Sequence, residues 1–551
     1  MSNQIKVRNQ LEKVVSNKNS LTIFGRIILK EHEIAEAKLL LLSRGNVDYR
    51  YSYEVKLNKV EGNPNENVYL YSSMIYFKNA DDNFVLDELV YDVFLDIKTM
   101  NAECTRVRVG KPTLKTKLLT NETKVLNSKL VQMVRPYYTF KRQNLSLEIF
   151  LFPLENYRYL KKVMRLSWIY RLLYIKKRIW IVGELPYKAQ DTGYHFFKYM
   201  RENHPEKNVY YVINTNSPEK KNIEKLGNIL DFKSKKHILY TIVSRKVISS
   251  HHPDYLYPIR TKKFKKKVKA VKVFLQHGVL GTKNMTANYG KYSGDFDVDL
   301  FFVSSDYERK IVINDLNYGE NQVKVTGLSR FDALFSKDVS LKRQILIIPT
   351  WRDWLSNNNQ FKESEYFNRY NNLINNKDLL DFARENEIQI LFCIHPNMQQ
   401  FTGHFESGIV KCIKQGEINV QTLIKESLLM ITDYSSVAFD FSFLRKPVIY
   451  YQFDRDRFLD SKPSHIDIEE ELPGDIVYEE VQLIELIKKY KENNFRMKEL
   501  KHNKSQKFLK FNDMNSNQRI LNAIVDFRLP EPRWVTQLRK YLAIFKQHRK
   551  K

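Results

Sequence analysis

The 551-residue chain carries 91 Lys and Arg against 63 Asp and Glu, a formal charge of +28, with 43% hydrophobic and 13% aromatic residues. That length predicts roughly two to four domains in a globular protein, and no stretch approaches the roughly 20 apolar residues needed to span a bilayer. Met1 to Ser20 is polar and lacks the apolar segment of a secretory leader, so the expectation is a cytoplasmic chain; the positive excess suits a polyanionic partner, whether nucleic acid, anionic lipid headgroups or a phosphate-rich substrate.

Residues of about 20 to 135 alternate with period two, as in Tyr51–Leu57 and Val68–Tyr71, between turn clusters such as Gly62–Asn65. This predicts a small antiparallel β domain, sandwich-like, at 1–150. It carries no visible chemistry, and its role is either interaction, the positioning of an acceptor, or purely structural. At 151–177 Leu160, Val163, Met164, Leu166, Ile169 and Leu172 interleave with Arg158, Lys161, Lys162, Arg165 and Arg171. On a helix these make an apolar stripe beside a cationic face, which fits either an anionic membrane surface or an ordinary packed linker.

Strand and helix signals then alternate. Ile179–Gly183, Val209–Ile213, Val247–Ser250, Val271–Gln276 and Leu300–Ser305 belong to one series. Ile345–Ile348, Ile388–Ile394, Leu428–Ile431 and Val448–Tyr451 belong to a second. Alternation of this kind predicts parallel sheets with crossover helices, hence two doubly wound α/β domains at 178–335 and 336–510 facing a cleft. Residues 511–551 form a basic tail, in which Trp534, Val535, Leu538, Tyr541, Leu542 and Phe545 recur at helical spacing. The cysteines Cys104, Cys393 and Cys412 are too few and scattered for a disulfide framework or a zinc site, and Cys393 reads as a core residue.

Candidate chemistry collects at predicted strand ends. His277 follows the strand Val271–Leu275 and precedes Gly278, while His395 follows Ile388–Ile394 and precedes Pro396. Open sheets bind ligands beyond the carboxyl ends of their strands, and imidazole suits proton transfer near neutral pH. In Thr432-Asp433-Tyr434-Ser435-Ser436, either serine is placed to cap the following helix and, with its free backbone NH groups, to hold a phosphate. Thr350-Trp351-Arg352-Asp353 puts Arg352 where its planar fork would grip a diphosphate, with an ion pair to Asp353 as the alternative, and Arg330 is a second cationic candidate. No phosphate-binding Walker loop, Gly-rich dinucleotide fingerprint, His-Glu-x-x-His helix or paired-cysteine site is present. Group transfer from a nucleotide-activated donor is what remains.

On Gln276-His277-Gly278, Thr350-Trp351-Arg352-Asp353, Ile394-His395-Pro396 and Thr432–Ser436 with Phe439-Asp440-Phe441, in that order, the chain resembles the CDP-glycerol glycerophosphotransferases of teichoic acid and related cell-surface polymer synthesis. The resemblance covers about residues 178–510. It implies a GT-B fold, the acceptor half first and the nucleotide half second, with peripheral attachment to the cytoplasmic face of the cell membrane. It further implies CDP-glycerol as donor substrate, a lipid-linked polymer as acceptor, and an anionic membrane surface rather than nucleic acid as partner, with no metal and no further cofactor assigned. The expected catalytic residues are His277 as general base and His395 at the departing CMP, or the two with their roles exchanged, and the expected donor contacts are Arg352, Ser435, Ser436, Asp433, Asp440 and Thr350. The rival readings are a CDP-ribitol transferase, a nucleotide-sugar glycosyltransferase and, from the charge, a polyanion-binding protein.

Overall fold

The computed structural model describes residues 5–528 apart from 45–49, 61–65, 80, 82, 128, 140–141, 293–295, 353, 356–357, 415–416 and 460–462. The candidate tail helix around Trp534 lies outside the described residues. No described helix is long and apolar enough to cross a membrane.

Ten antiparallel strands between Val7 and Pro153 form one sheet. By chain order they run 1-2-5-4-3-6-10-9-8, with the seventh on the sixth. Strands such as Ser20–Lys30 and Val90–Thr99 alternate buried and exposed residues, the period-two pattern of a half-buried sheet. Pairing stays continuous because Arg50–Val60 changes partner halfway: Arg50 to Glu54 bond to Ile34–Ser43, and Val55 to Val60 bond to Glu66–Tyr76, so one strand links the two layers of the expected sandwich-like domain. The sheet rolls around a single core, and Leu11 N–H reaches Gly110 O (2.8 Å) just past the seventh strand. Leu145–Pro153 is buried almost throughout because both its faces are covered: Leu147 and Ile149 enter that core, while Phe150 and Phe152 pack on the next unit.

That next unit is a seven-stranded parallel sheet, ordered 3-2-1-4-5-6-7 from Trp180–Gly183 to Val323–Val325. A six-stranded parallel sheet from Gln344–Ile347 to Asp475–Val477 follows, ordered 3-2-1-4-5-6. In such sheets both faces are covered by helices, so the central strands are largely apolar. Ile345 and Ile347 meet Tyr370 and Leu373 on one face, and Leu346 and Ile348 meet Ala438 and Phe439 on the other. The order reverses between the first and fourth strand of each sheet, where a crevice opens beyond the strand ends.

The amphipathic stretch at 151–177 divides into the helices Leu154–Arg165 and Ser167–Leu173. Tyr157, Leu160 and Val163 are buried against Ile238 and Ile242, so the apolar stripe of the first helix is a packing face and not a membrane-facing one. Trp168, Leu172, Leu173 and Ile175 stay exposed. After the second sheet the chain crosses back. In the helix Ser516–Asp526, Ile520, Leu521 and Ile524 pack on Phe196, Phe197 and Met200 of the first parallel unit. Asp332 receives its opening backbone N–H groups, from Ser516 (2.8 Å) and Asn517 (3.0 Å).

Candidate active site

At the switch point of the seven-stranded sheet, the loops after Trp180–Gly183, Lys246–Ser249 and Val271–Phe274 converge. Gln276 adopts a left-handed backbone conformation (φ 59°), and its side-chain amide donates to Phe302 O (2.7 Å) and Glu308 Oε1 (3.1 Å). Glu308 in turn accepts from Leu280 N and Ser304 N, both at 2.7 Å, while Thr192 Oγ1 donates to Gln276 O. The loop that carries His277 is therefore clamped from both ends. His277 Nδ1 lies 3.1 Å from Ser250 O; a carbonyl only accepts, so the proton sits on Nδ1 and the lone pair of the neutral ring on Nε2. Tyr289 Oη stands 3.3 Å from that nitrogen, and the His251 ring stacks on His277 at 4.5 Å and 4°. Burial first, then the charges of Arg330 and Lys188, lower the proton affinity of His277 below the ordinary histidine value.

The opposite wall comes from the six-stranded sheet. His395 follows Gln389–Cys393, its ring 6.1 Å from Trp351. Its pKa is pulled down to about 3, chiefly by burial and then by Lys188, Lys283 and His277, all three from the other unit. The two imidazoles, carried by different sheets, thus lie within electrostatic reach of each other. The seam below them is tight: a Cβ on Gly278 would lie 2.4 Å from Ser436 Oγ, and one on Gly281 would lie 3.1 Å from Phe439. Gly281 O also accepts from Ser464 Oγ (2.8 Å) and His465 N (3.1 Å).

Several expected donor contacts have other employment. Arg352, expected to grip a diphosphate, is fully buried: Nε and Nη2 bind Asp454 (2.7 and 3.0 Å), Nη2 also binds Asp433 (2.8 Å), and Nη1 donates to Thr350 O (2.6 Å). Its fork is spent on the protein's own carboxylates, and Tyr366, Tyr434 and Phe458 lie about it within 5.2 Å. Asp433, also expected at the donor, accepts from Thr350 N (2.9 Å), Tyr434 N (2.6 Å) and Tyr370 Oη (3.2 Å). Asp440 is held by Arg330 through Nε (2.6 Å) and Nη2 (2.9 Å), and Arg330 Nη1 reaches Asp191 (3.2 Å) in the first unit, so this trio ties the two halves together. Ser436 occupies the position before the helix Val437–Phe443 but makes no side-chain capping bond, because its backbone is already helical (φ −67°, ψ −16°). Ser435 and Ser436 remain partly accessible beside Gly278. Thr350 is half-buried, and its Oγ1 has no hydrogen-bond partner among the described residues.

Sequence reasoning passed over Lys188, Lys283 and His251. Lys188 belongs to the Glu184–Asp191 loop directly after the first strand of its sheet, and its charge acts on His251, His277 and His395 alike. Among the described residues its Nζ makes no hydrogen bond or ion pair. Lys283 lies over Trp351 (5.4 Å) and Phe458 (5.6 Å), bridging the halves above Gly281. The available signal was position, since the loop after the first strand borders the switch-point crevice. Beside the cleft, a cavity of about 840 Å³ opens beyond Val448–Tyr451, lined by Phe453, Asp454, Arg455, Pro463 and Tyr478 among others; Asn284 of the first unit touches Pro463 O (3.1 Å). Among the described residues, no group of three or more His, Cys, Asp or Glu side chains is placed to hold a metal ion.

Residues 166–526 match the family described as CDP-Glycerol:Poly(glycerophosphate) glycerophosphotransferase, and residues 5–149 match TarS beta-glycosyltransferase C-terminal domain 1. The chain is 31% identical over 386 residues to the minor teichoic acid biosynthesis protein GgaB of Bacillus subtilis (strain 168), covering 67% of this chain and 42% of that protein. It is 28% identical over 260 residues to a teichoic acid glycerol-phosphate transferase of Staphylococcus aureus (strain NCTC 8325 / PS 47), covering 44% of this chain and 64% of that one. The chain thus spans about half the length of these curated relatives. The solved wall teichoic acid polymerase TagF superposes with a TM-score of 0.50 at 19% identity, over 68% of this chain and 98% of that one, a likeness of fold.

Proposed function

We propose a reaction for a chain that belongs to the CDP-glycerol:poly(glycerophosphate) glycerophosphotransferase family: it moves glycerol phosphate from CDP-glycerol to a hydroxyl at the end of a membrane-linked polyol-phosphate acceptor and releases CMP. What supports the reading is that His277 and His395, carried by two different parallel sheets, lie close enough for the charge of one ring to act on the other, which we read as a GT-B-like cleft. The acceptor oxygen attacks the β-phosphorus, the P–O bond to CMP breaks, and the hydroxyl proton passes to His277 Nε2, whose lone pair the Ser250 carbonyl leaves available. His395 lies against the diphosphate. Lys188 and Lys283 supply the positive charge expected of Arg352, and Ser435 and Ser436 supply hydroxyls. The 840 Å³ cavity has the size for a nucleoside.

Membrane attachment at the inner face is part of the same proposal. Exposed Trp168, Leu172, Leu173 and Ile175, beside Lys176, Lys177 and Arg178, form an apolar patch with a cationic border.

His277→Ala should retain CDP-glycerol binding and lose about 10²- to 10⁴-fold in CMP release. Lost binding with persistent turnover would overturn the assigned roles. Parallel assays with CDP-glycerol, CDP-ribitol and UDP-sugars on a lipid-linked acceptor test the donor, and release of UDP in place of CMP would refute the reaction.

A further inference from the structure

Where the rolled β sheet meets the first parallel unit there is a second cavity, of about 270 Å³, lined by Arg44, Arg135 and Glu148 from one side and by Asp254, Arg260 and Lys265 from the other. Cations outnumber carboxylates around it. Glu148 lies between Arg135 (3.1 Å) and Arg260, Asp254 between Lys265 (2.8 Å) and Lys272 (3.2 Å), and Asp92 just behind between Arg44 (2.7 Å) and Arg108 (2.8 Å). Each carboxylate faces two cations, so the wall carries a net positive charge. The guanidinium planes are steadied by aromatic rings: Arg260 lies 4.6 Å from Tyr255, and Arg44 and Arg135 lie 5.9 and 5.8 Å from Tyr137. Rings on the faces hold the guanidinium groups in place around a cationic space.

The cavity adjoins the catalytic cleft through a single turn of chain. His252 lines it, and the preceding residue, His251, stacks on His277. Its volume falls short of the roughly 300–1,000 Å³ of pockets that take whole small-molecule ligands, while a phosphate with a short polyol fits. Neither wall suffices alone, since the rolled sheet and the parallel unit each contribute arginine.

Resting on the glycerophosphotransferase reading, we infer that this cavity is an acceptor subsite: it holds an internal phosphodiester of the polyol-phosphate chain whose terminal hydroxyl sits at His277. The β domain then takes part in acceptor recognition.

The test pairs Arg44→Gln and Arg260→Gln, singly and together, because Asp92 keeps Arg108 and Glu148 keeps Arg135 in these variants. Calorimetric binding of a lipid-free oligo(glycerol phosphate) of three units should weaken about tenfold per arginine, the scale of one charge-assisted hydrogen bond. KM for that acceptor should rise in step, with KM for CDP-glycerol and turnover on a one-unit acceptor lacking an internal phosphodiester unchanged. Arg44→Lys and Arg260→Lys, which keep the charge, should recover part of the binding. Equal losses on both acceptors, unaltered oligomer binding in the double variant, or inorganic phosphate binding as tightly as the oligomer would each overturn the subsite. If the double variant fails to fold, Arg44→Gln, at a half-exposed position, decides alone. A wild-type chain that releases no CMP with any acceptor refutes the reaction, whereas oligomer binding still reads the cavity.

Discussion

Replacing Arg352 by glutamine strands two carboxylates, Asp433 and Asp454, whose side chains are 0% and 5% exposed. Breaking a buried pair costs about 3–5 kcal/mol, but a stranded carboxylate has an escape, which is to take up a proton. With an ordinary aspartate near pKa 3.9 and about 1.36 kcal/mol per unit, that escape costs about 4 kcal/mol at pH 7 and about 1.5 kcal/mol at pH 5. The smaller cost prevails at each pH. The folded variant then holds a proton that the unfolded chain, above about pH 4, has released, so its stability falls as pH rises, by roughly 1.4 kcal/mol per unit relative to wild type. Urea unfolding at pH 5, 6 and 7, followed by tryptophan fluorescence, checks this, with Trp354 reporting from 6.0 Å away. Wild-type stability at every pH together with a raised KM for the donor would refute the argument and return Arg352 to the diphosphate.

Gly278→Ala should cost about 1–3 kcal/mol by overpacking the seam against Ser436. Adding Ser436→Ala should restore only part of the thermal midpoint, because the two Cβ atoms would still stand 3.2 Å apart. Lys188→Met removes a charge that depresses both facing histidines. The acid limb of kcat/KM, expected below the ordinary histidine value because a lowered pKa keeps the ring neutral to lower pH, should move upward in this variant; an unmoved limb excludes Lys188 from the cleft. Trp168→Ser with Leu172→Ser should weaken binding to anionic-lipid vesicles about tenfold per side chain, and unchanged sedimentation with vesicles would dismiss the patch.

Periodicity carried much of the architecture in one dimension. Alternation in strands such as Ser20–Lys30 signals a sheet with one wet face, and solid apolar runs such as Leu300–Val303 signal sheets covered on both. Both histidines could be placed at strand ends because each is preceded by such a run. What pairing hides is different. Arg352 finds Asp454 102 residues later and Arg330 finds Asp440 110 residues later, so no local pattern distinguishes an arginine spent on the scaffold from one available to a ligand. The stripe from Tyr157 to Val163 shows that an amphipathic helix beside lysines is equally a packing element, since periodicity reports a face and not what covers it. The change of partner halfway along Arg50–Val60 depends on which strands flank it, which composition does not specify.

The return of Ser516–Asp526 to the first parallel unit bears on how this protein is divided in the laboratory. A truncated chain stopping near residue 335 would leave Phe196, Phe197 and Met200 without Ile520, Leu521 and Ile524, baring an oily groove on the half meant to stand alone. Complementary fragments should therefore be co-expressed, or the last helix grafted onto the shorter piece through a linker, before either half is assayed for ligands.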